Sequence, residues 1–107
     1  AAVLADEKKA EDIRAYDVTG LTVVADSFVI CSVNNEPHMK AVVSNVRNGM
    51  KEAGVGARTE EGRFDGGWVL VDFGSVILHV FRKEARAFYD LDGLWADAPT
   101  FDLDLEP

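Results

Sequence analysis

The sequence contains little of what disulfide-bonded, metal-binding and membrane-spanning proteins require. Among its 107 residues are one cysteine, Cys31, and two histidines, His38 and His79. A single cysteine excludes an internal disulfide and fits a reducing, cytoplasmic setting, and its place in an apolar run predicts a buried, unreactive thiol. No cysteine or carboxylate accompanies either histidine at the spacing of a zinc site. No apolar run approaches the length that spans a bilayer, and the first residues lack a signal-peptide core.

Basic residues are also scarce, since 19 acidic residues outnumber 11 basic ones and give a net charge of −8. The densest basic group is Arg82, Lys83 and Arg86, and Glu84 interrupts it. Binding of nucleic acid depends on clustered Lys and Arg that neutralise phosphates, so direct binding of RNA or DNA is not expected. An acidic domain is steered toward basic protein surfaces, although the charge can also serve solubility alone.

Acidic motifs of catalytic proteins occur only in fragments. The letters Asp72-Phe73-Gly74 match a kinase motif, but the glycine-rich and catalytic loops that accompany it are absent, so a turn is favoured. Asp90 with Asp92, and Asp102 with Asp104, have the spacing of magnesium-binding pairs, yet no phosphate-binding glycine loop precedes either pair. We therefore predict a protein without metal, cofactor or enzymatic activity. The alternative is a nucleotidyltransferase-like, magnesium-dependent enzyme that uses Asp72 and a second carboxylate.

The hydrophobic pattern predicts one α/β (α+β) domain, a mixed β-sheet with flanking helices, in the order α-β-β-α-β-β-β-α. The predicted helices cover residues 1–12, 36–53 and 84–89, and the predicted strands cover 13–18, 27–33, 55–59 and the two arms of a hairpin within 68–81. Residues 27–33 are nearly all apolar, which is typical of a strand buried on both faces. The run Asn34-Asn35-Glu36-Pro37 predicts the start of the long helix, with an asparagine as its cap, and Gly54 ends it. Residues 101–106 alternate apolar and acidic side chains, as an edge strand or a flexible acidic tail would.

The hairpin is the most informative stretch of the chain. A turn at Phe73-Gly74 would pair Val71 with Val76, and moving it to Gly74-Ser75 leaves the same residues on each face. One face is uniformly aliphatic and is predicted to be core: Val69, Val71, Val76, Leu78 and Val80. The other mixes aromatic, polar and acidic side chains: Trp68, Leu70, Asp72, Ile77, His79 and Phe81. This second set fits either a protein-binding surface or a layer that helices cover.

Four aromatic residues in and after the hairpin extend this pattern: Trp68, Phe88, Tyr89 and Trp95. The spacing of the helix over 84–89 predicts that Ala85 and Phe88 face the sheet and that Tyr89 lies at the rim. Phe88 and Trp95 are therefore expected to close the core. Trp68 and Tyr89 are the aromatic candidates for a protein interface, because Trp and Tyr often contribute most of the binding energy there.

Several blocks together resemble the ribosomal silencing factor (RsfS, or Iojap) family. In order along the chain they are 25–30 (ADSFVI), 39–41 (MKA), 61–62 (EG), 67–74 (GWVLVDFG), 76–80 with its histidine (VILHV) and 84–95 (EARAFYDL…LW). They span residues 10–99 in the family's order and spacing. The chain departs from the family pattern at Asn34 to Pro37, before the long helix, and at Ser75, where an acid is usual. Those two loops are therefore not assigned contacts.

The resemblance implies a nucleotidyltransferase-like mixed sheet without retained transferase chemistry. It also implies a translation repressor that binds ribosomal protein fourteen of the large subunit and sterically prevents joining of the small subunit. No cofactor, nucleic-acid specificity or membrane is implied, and a homodimer stays open. The Trp68 face would dock, with charge from Asp72 and Glu84. The expected partner-binding residues are Trp68, Leu70, Asp72, His79, Phe81, Arg86, Tyr89 and Leu91.

Overall fold

A computed structural model describes residues 2–21, 25–96 and 98–100 of the protein. The helices are α1 (Ala2–Glu7), α2 (Glu36–Glu52), α3 (Lys83–Tyr89) and α4 (Leu91–Leu94). The strands are β1 (Glu11–Asp17), β2 (Ser27–Val33), β3 (Thr59–Arg63), β4 (Trp68–Asp72) and β5 (Val76–Arg82), and a 3-10 turn covers Phe64–Gly66. The predicted order of elements is confirmed, with α4 as one further helical turn. Within these ranges no helix is long and apolar enough to cross a membrane.

The five strands form one mixed sheet in the order β1-β2-β5-β4-β3. β2 and β5 are parallel, with Ile30 opposite His79, and the other three neighbouring pairs are antiparallel. This arrangement confirms the predicted mixed sheet. It also confirms that β2 is an internal strand, since it pairs with β1 on one side and β5 on the other. The chain reaches β5 from β2 through α2 and the β3–β4 hairpin.

One face of the sheet, the first face, is covered by α1 and α2. The predicted α2 cap is present, because the Asn35 side-chain oxygen accepts a hydrogen bond of 2.8 Å from the His38 backbone N–H. After α2, Gly54 has a φ of +89°, a conformation that favours glycine. The buried residues of the first face are almost all aliphatic: Ala15, Val29, Cys31, Val33, Val69, Val71, Leu78 and Val80 from the strands, and Met39, Val42, Val43 and Val46 from α2.

Two local predictions are wrong in position. The edge strand β3 covers Thr59–Arg63 and shares only Thr59 with the strand predicted for 55–59. The Val55 N–H donates to the carbonyl of Met50 at 2.8 Å, so the start of the predicted strand is taken up by the end of α2. Pairing with β4 begins only near Arg58, whose N–H donates to the Asp72 carbonyl at 2.7 Å. Helix α1 likewise ends at Glu7, earlier than expected.

The turn of the hairpin lies at Gly74-Ser75, one residue later than the Phe73-Gly74 turn first considered. Val71 lies opposite Leu78 and Asp72 opposite Ile77, so the turn residues are Gly74 and Ser75 and the pairing of Val71 with Val76 is wrong. The Asp72 carboxylate accepts a hydrogen bond of 2.7 Å from the Gly74 N–H, and Gly74 has a φ of +98°. The composition of the two faces is unchanged by this shift. The edge strand or tail predicted for 101–106 lies outside the described residues.

Candidate docking site

The opposite face of the sheet, the second face, is covered only in part. α3, α4 and the segment around Trp95 pack over β1, β2 and β5, and leave the outer side of β4 and all of β3 open. Phe28 and Trp95 meet edge to face, with ring centroids 5.4 Å apart, which confirms that Trp95 closes this end of the core. The fully or nearly buried residues of this face are Tyr16, Val18, Ala25, Phe28, Ile30, Ile77, Phe81 and Ala98.

Trp68 and Leu70 lie on β4 at the border between the covered and the open part. Across the sheet, Trp68 is paired with Arg63 and Phe81, and Leu70 is paired with Glu61 and His79. A shallow groove runs beside them, lined by Glu61, Gly62, Trp68 and Leu70. A side chain at Gly62, which has a φ of +97°, would collide with the Trp68 carbonyl oxygen, so the close approach of β3 to β4 requires glycine here.

Aromatic rings from β4, β5 and α3 stack at this border. Trp68 lies on Phe81 with centroids 5.0 Å apart and planes 25° from parallel, and the Tyr89 ring meets Trp68 at 4.7 Å. Phe88 touches the edge of Tyr89 at 5.2 Å. Phe81 is fully buried beneath this stack, whereas Tyr89 is 48% exposed and Phe88 is 82% exposed. We call the accessible side chains at this border the aromatic patch. It consists of Trp68, Phe88 and Tyr89 together with the adjacent Leu70.

His79 lies beneath the aromatic patch and is only 5% exposed. The Trp68 indole N–H donates to its Nδ1 at 3.3 Å, so the ring proton is on Nε2, which has no partner among the described residues. Burial lowers the pKa of His79 to about 4, which keeps the imidazole neutral. His79 and Phe81 therefore support Trp68 from below. Both were expected to contact a partner, and both side chains are covered in this structure.

Arg86, another of the expected contact residues, is also buried. Its guanidinium is 8% exposed and forms a bidentate pair with Asp92, through Nε at 2.9 Å and Nη2 at 3.1 Å. Its Nη1 donates to the Ser32 hydroxyl at 2.8 Å and to the Asp12 carbonyl at 2.7 Å. Arg86 thus joins α3 to α4, β1 and β2, and it is not free to bind a partner.

The partners of Arg86 are themselves arranged around it. Asp12 sits at an irregularity in the β1–β2 pairing with a φ of +48°, and this conformation presents its carbonyl to the guanidinium. The Tyr16 hydroxyl donates to Asp92 at 2.7 Å. Burial alone would raise the pKa of Asp92, but the hydrogen bonds from Arg86 and Tyr16 outweigh it and lower that pKa below its ordinary value. Asp92 is therefore the ion-pair partner of Arg86, a role that the sequence analysis did not predict.

The remaining expected contact residues have mixed surroundings. Asp72 is half-buried and its carboxylate is used by the turn, so its charge is only partly available. Leu91 packs against the second-face core at the start of α4. Asp90 caps α4 by accepting from the Gly93 N–H at 3.2 Å, and Glu84 is exposed on α3.

In the described part of the chain no three His, Cys, Asp or Glu side chains converge as a metal site would require. Burial raises the pKa of the Cys31 thiol to about 12, and this confirms a buried, unreactive cysteine.

Sequence reasoning missed Phe88 as a surface residue and Arg86 as a buried one. The inward stripe of α3 is Ala85, Arg86 and Tyr89, which follow each other at the spacing of one helical face. Phe88 lies about 200° round the helix from Arg86, so burying the arginine turns the phenylalanine outward. No local pattern in the sequence signals this, because the pair of Arg86 and Asp92 forms only when α3 and α4 pack together.

Comparison with known proteins gives concordant results. A family model described as "Ribosomal silencing factor during starvation" matches residues 1–107. The chain is 43% identical over 104 residues to Ribosomal silencing factor RsfS of Bacillus subtilis (strain 168), a match that covers 97% of this chain and 88% of that protein. It is 30% identical over 105 residues to Protein Iojap, chloroplastic, of Arabidopsis thaliana, across 98% of this chain and 44% of that protein.

Solved structures give the same result for the fold. A crystal structure of a Bacillus halodurans protein superimposes with a TM-score of 0.80 at 37% identity and covers 94% of this chain and 90% of that one. A Chromobacterium violaceum protein superimposes with a TM-score of 0.83 at 33% identity, over 94% of this chain and 84% of that one. Coverage this high includes most of the strands and helices described above.

Proposed function

Because the chain belongs to the ribosomal silencing factor family, we propose that it binds the large ribosomal subunit through the aromatic patch and represses translation. The proposed contact is ribosomal protein fourteen of that subunit. A domain seated on the subunit-facing side of that protein occupies space that the small subunit needs, so it prevents the two subunits from joining. This action is steric and needs no cofactor or catalysis, and it takes place in the cytoplasm.

The observation that carries the proposal is an open cluster of aromatic side chains on a rigid support. Trp68 and Tyr89 are held by Phe81 from below, by the Trp68 to His79 hydrogen bond and by the anchoring of α3 through Arg86. Such pre-organised Trp and Tyr side chains lose little conformational entropy on binding and commonly dominate interface energies. The groove beside Trp68 and Leu70 can receive an apolar side chain of the partner.

Charge supports a basic protein as the partner. The net charge is −8, and exposed carboxylates flank the aromatic patch, Glu61 on β3 and Glu84 on α3. Such a rim attracts a surface rich in Lys and Arg and orients it during encounter, while the apolar centre contributes most of the affinity.

Co-sedimentation with purified ribosomal subunits tests the proposal. The wild-type protein should pellet with large subunits and should reduce the yield of joined ribosomes when small subunits are added. Trp68→Ala should lose large-subunit binding, with an expected cost of about 2 kcal/mol or more in binding free energy, while thermal unfolding stays cooperative. Val3→Ala, at an exposed apolar position on α1, is the matched control and should bind as the wild type does.

Two results would contradict the proposal. Full binding by Trp68→Ala would remove the aromatic patch as the contact surface. Failure of the wild-type protein to bind large subunits, together with thermal stabilisation by nucleotide and magnesium, would favour the nucleotidyltransferase-like enzyme instead.

A further inference from the structure

The outer surface of α2 collects cations that are dispersed in the sequence. Lys40, Arg47 and Lys51 are separated by seven and four residues, which places them on one line along the helix, and all three are exposed. Ser44 and Asn48 lie in the same stripe and add neutral hydrogen-bond donors. In a chain of net charge −8, this concentration of donors on one face needs an explanation.

The carboxyl half of that stripe forms the wall of a pocket. Ser44, Arg47, Asn48 and Lys51 line it from α2, and the loop at Gly56 and Ala57 closes the other side. The lining contains two cations and no carboxylate. The Glu60 carboxylate, from the neighbouring strand β3, accepts from Arg47 Nη1 at 2.7 Å, which fixes the guanidinium and leaves its Nε and Nη2 without a side-chain partner among the described residues.

The position of the pocket makes simultaneous use of both surfaces possible. α2 covers the first face of the sheet, whereas the aromatic patch belongs to the second face, so a partner on the patch does not cover the α2 stripe. On a ribosome, the surface around any ribosomal protein includes RNA backbone. Its phosphates are the acceptors that Arg, Lys, Ser and Asn side chains bind without reading sequence.

We propose that the α2 stripe, with the pocket at Arg47 and Lys51 as its centre, binds backbone phosphates of large-subunit ribosomal RNA while the aromatic patch holds the ribosomal protein. This inference rests on the proposed function and adds a second contact to it. Arg47 and Lys51 neutralise the phosphate charge, and Ser44 and Asn48 donate to its oxygens. Recognition is of charge and shape, so it carries no base specificity.

The test compares two double variants that remove the same charge. Arg47→Gln with Lys51→Gln empties the pocket of cations. Lys8→Gln with Lys9→Gln removes two exposed cations after α1, where the Lys8 carbonyl contacts His38 near the start of α2, away from the pocket. Affinity for purified large subunits and for isolated ribosomal protein fourteen is measured at several salt concentrations.

The pocket variant should bind large subunits about tenfold more weakly than the control at low salt, and its slope of log affinity against log salt should be shallower by about 1.5, the value for two lost phosphate contacts. Its affinity for the isolated ribosomal protein should equal that of the control. Equal slopes for the two variants on whole subunits would overturn the inference. A loss that also appears with the isolated ribosomal protein would overturn it too, because the stripe would then contact protein. If the wild type fails to bind the isolated protein, the proposed function fails, while the slopes on whole subunits still decide the role of the stripe.

Discussion

The two faces of the sheet use different chemistry although the same strands build both. The first face is covered by the 17-residue helix α2 and by α1, and its buried side chains are almost all aliphatic. The second face is covered by two short helices, and it carries Trp68, Phe28, Phe81 and Trp95. A long amphipathic helix can exclude water from a whole face, and small branched side chains then pack well. A partly covered face relies on large rings, which bury much area from few positions.

The buried polar and charged side chains of the described residues also differ between the two faces. The three buried polar or charged side chains in the described part of the chain, Ser32, His79 and Arg86, all belong to the second face or to the helix on it. Each fixes a specific geometry, since His79 orients Trp68 and Arg86 orients α3. The first face specifies a stable core, whereas the second specifies the arrangement of a surface.

Phe81→Ala is the strongest test of whether the second face has a core at all. The ring is fully buried under Trp68 and Tyr89, so its loss should cost about 3–5 kcal/mol of unfolding free energy in chemical denaturation. Leu78→Ala, one fully buried residue of the first face, is the counterpart and should cost about 2–5 kcal/mol. A loss below about 1 kcal/mol for Phe81→Ala alone would mean that the second face is surface rather than core.

Acid should weaken the fold through His79. Its pKa is lowered to about 4 by burial, against an ordinary value near 6.5, so between these values the unfolded chain takes up a proton that the folded protein does not. This contribution to stability is present above pH 6.5 and falls as the pH drops toward 4, by about 3 kcal/mol in total.

Denaturation midpoints measured from pH 7.5 to 4 check this dependence. His79→Gln removes the titrating group and should flatten the profile, and its amide oxygen can still accept from Trp68. Val3→Ala, at an exposed apolar position on α1, is the control and should keep the wild-type slope. An unchanged slope in His79→Gln would show that the imidazole is protonated equally in both states.

Arg86→Met tests the anchor between α3, α4 and the sheet. It removes the guanidinium from Asp92, Ser32 and the Asp12 carbonyl, and should cost about 2–4 kcal/mol of unfolding free energy, less than a fully buried pair because Asp92 keeps some solvent. Arg14→Met breaks an exposed pair with Asp12 and should change stability by less than about 0.5 kcal/mol. Similar losses in the two variants would remove the distinction between anchor and surface ion pair.

Phe88→Ala and Tyr89→Ala should have the smallest effects on stability. Phe88 is mostly exposed, so its truncation should cost less than about 0.5 kcal/mol, and Tyr89→Ala about 1 kcal/mol because its ring rests on Trp68. Both should weaken large-subunit binding about tenfold per folded molecule. Melting and co-sedimentation of both variants, with Val3→Ala beside them, provide the measurement. A large loss of stability in Phe88→Ala would restore the sequence-based expectation that this ring is core.

Much of this fold can be predicted from the sequence pattern, because several local signals indicate the same helix or strand. The cap at Asn35 and the apolar stripe of α2, for example, agree with each other, and the strand over 27–33 has no competing interpretation. The faces of the hairpin were predictable even though its register was not, because a shift of the turn by one residue moves the pairing by two.

The site was less predictable because burial in short helices is a tertiary property. Nothing local in 83–94 distinguishes an arginine that pairs with Asp92 from one that faces solvent, and Phe88 was expected inside because helical spacing aligns it with Ala85. His79 shares a face with Trp68 in the pattern, but its coverage depends on the packing of α3, α4 and Trp95. The pattern assigned side chains to the two faces of the hairpin, and the packing decides which side chains of each face are accessible.

Because the Arg86 anchor ties α3 to α4, we expect the two helices to open together and separately from the rest of the protein. Both helices are too short to persist without tertiary contacts, and the polar contacts that hold them to β1 and β2 centre on the pair of Arg86 and Asp92, with the Tyr16 hydroxyl donating to Asp92. Their backbone amides should therefore exchange hydrogen for deuterium through local openings, well before those of β2 and β5. Each opening carries Tyr89 away from Trp68 and dissolves the aromatic patch while α2 remains folded. A partner bound to the patch would suppress these openings. Binding should therefore slow hydrogen exchange along α3, even at amides that the partner does not touch.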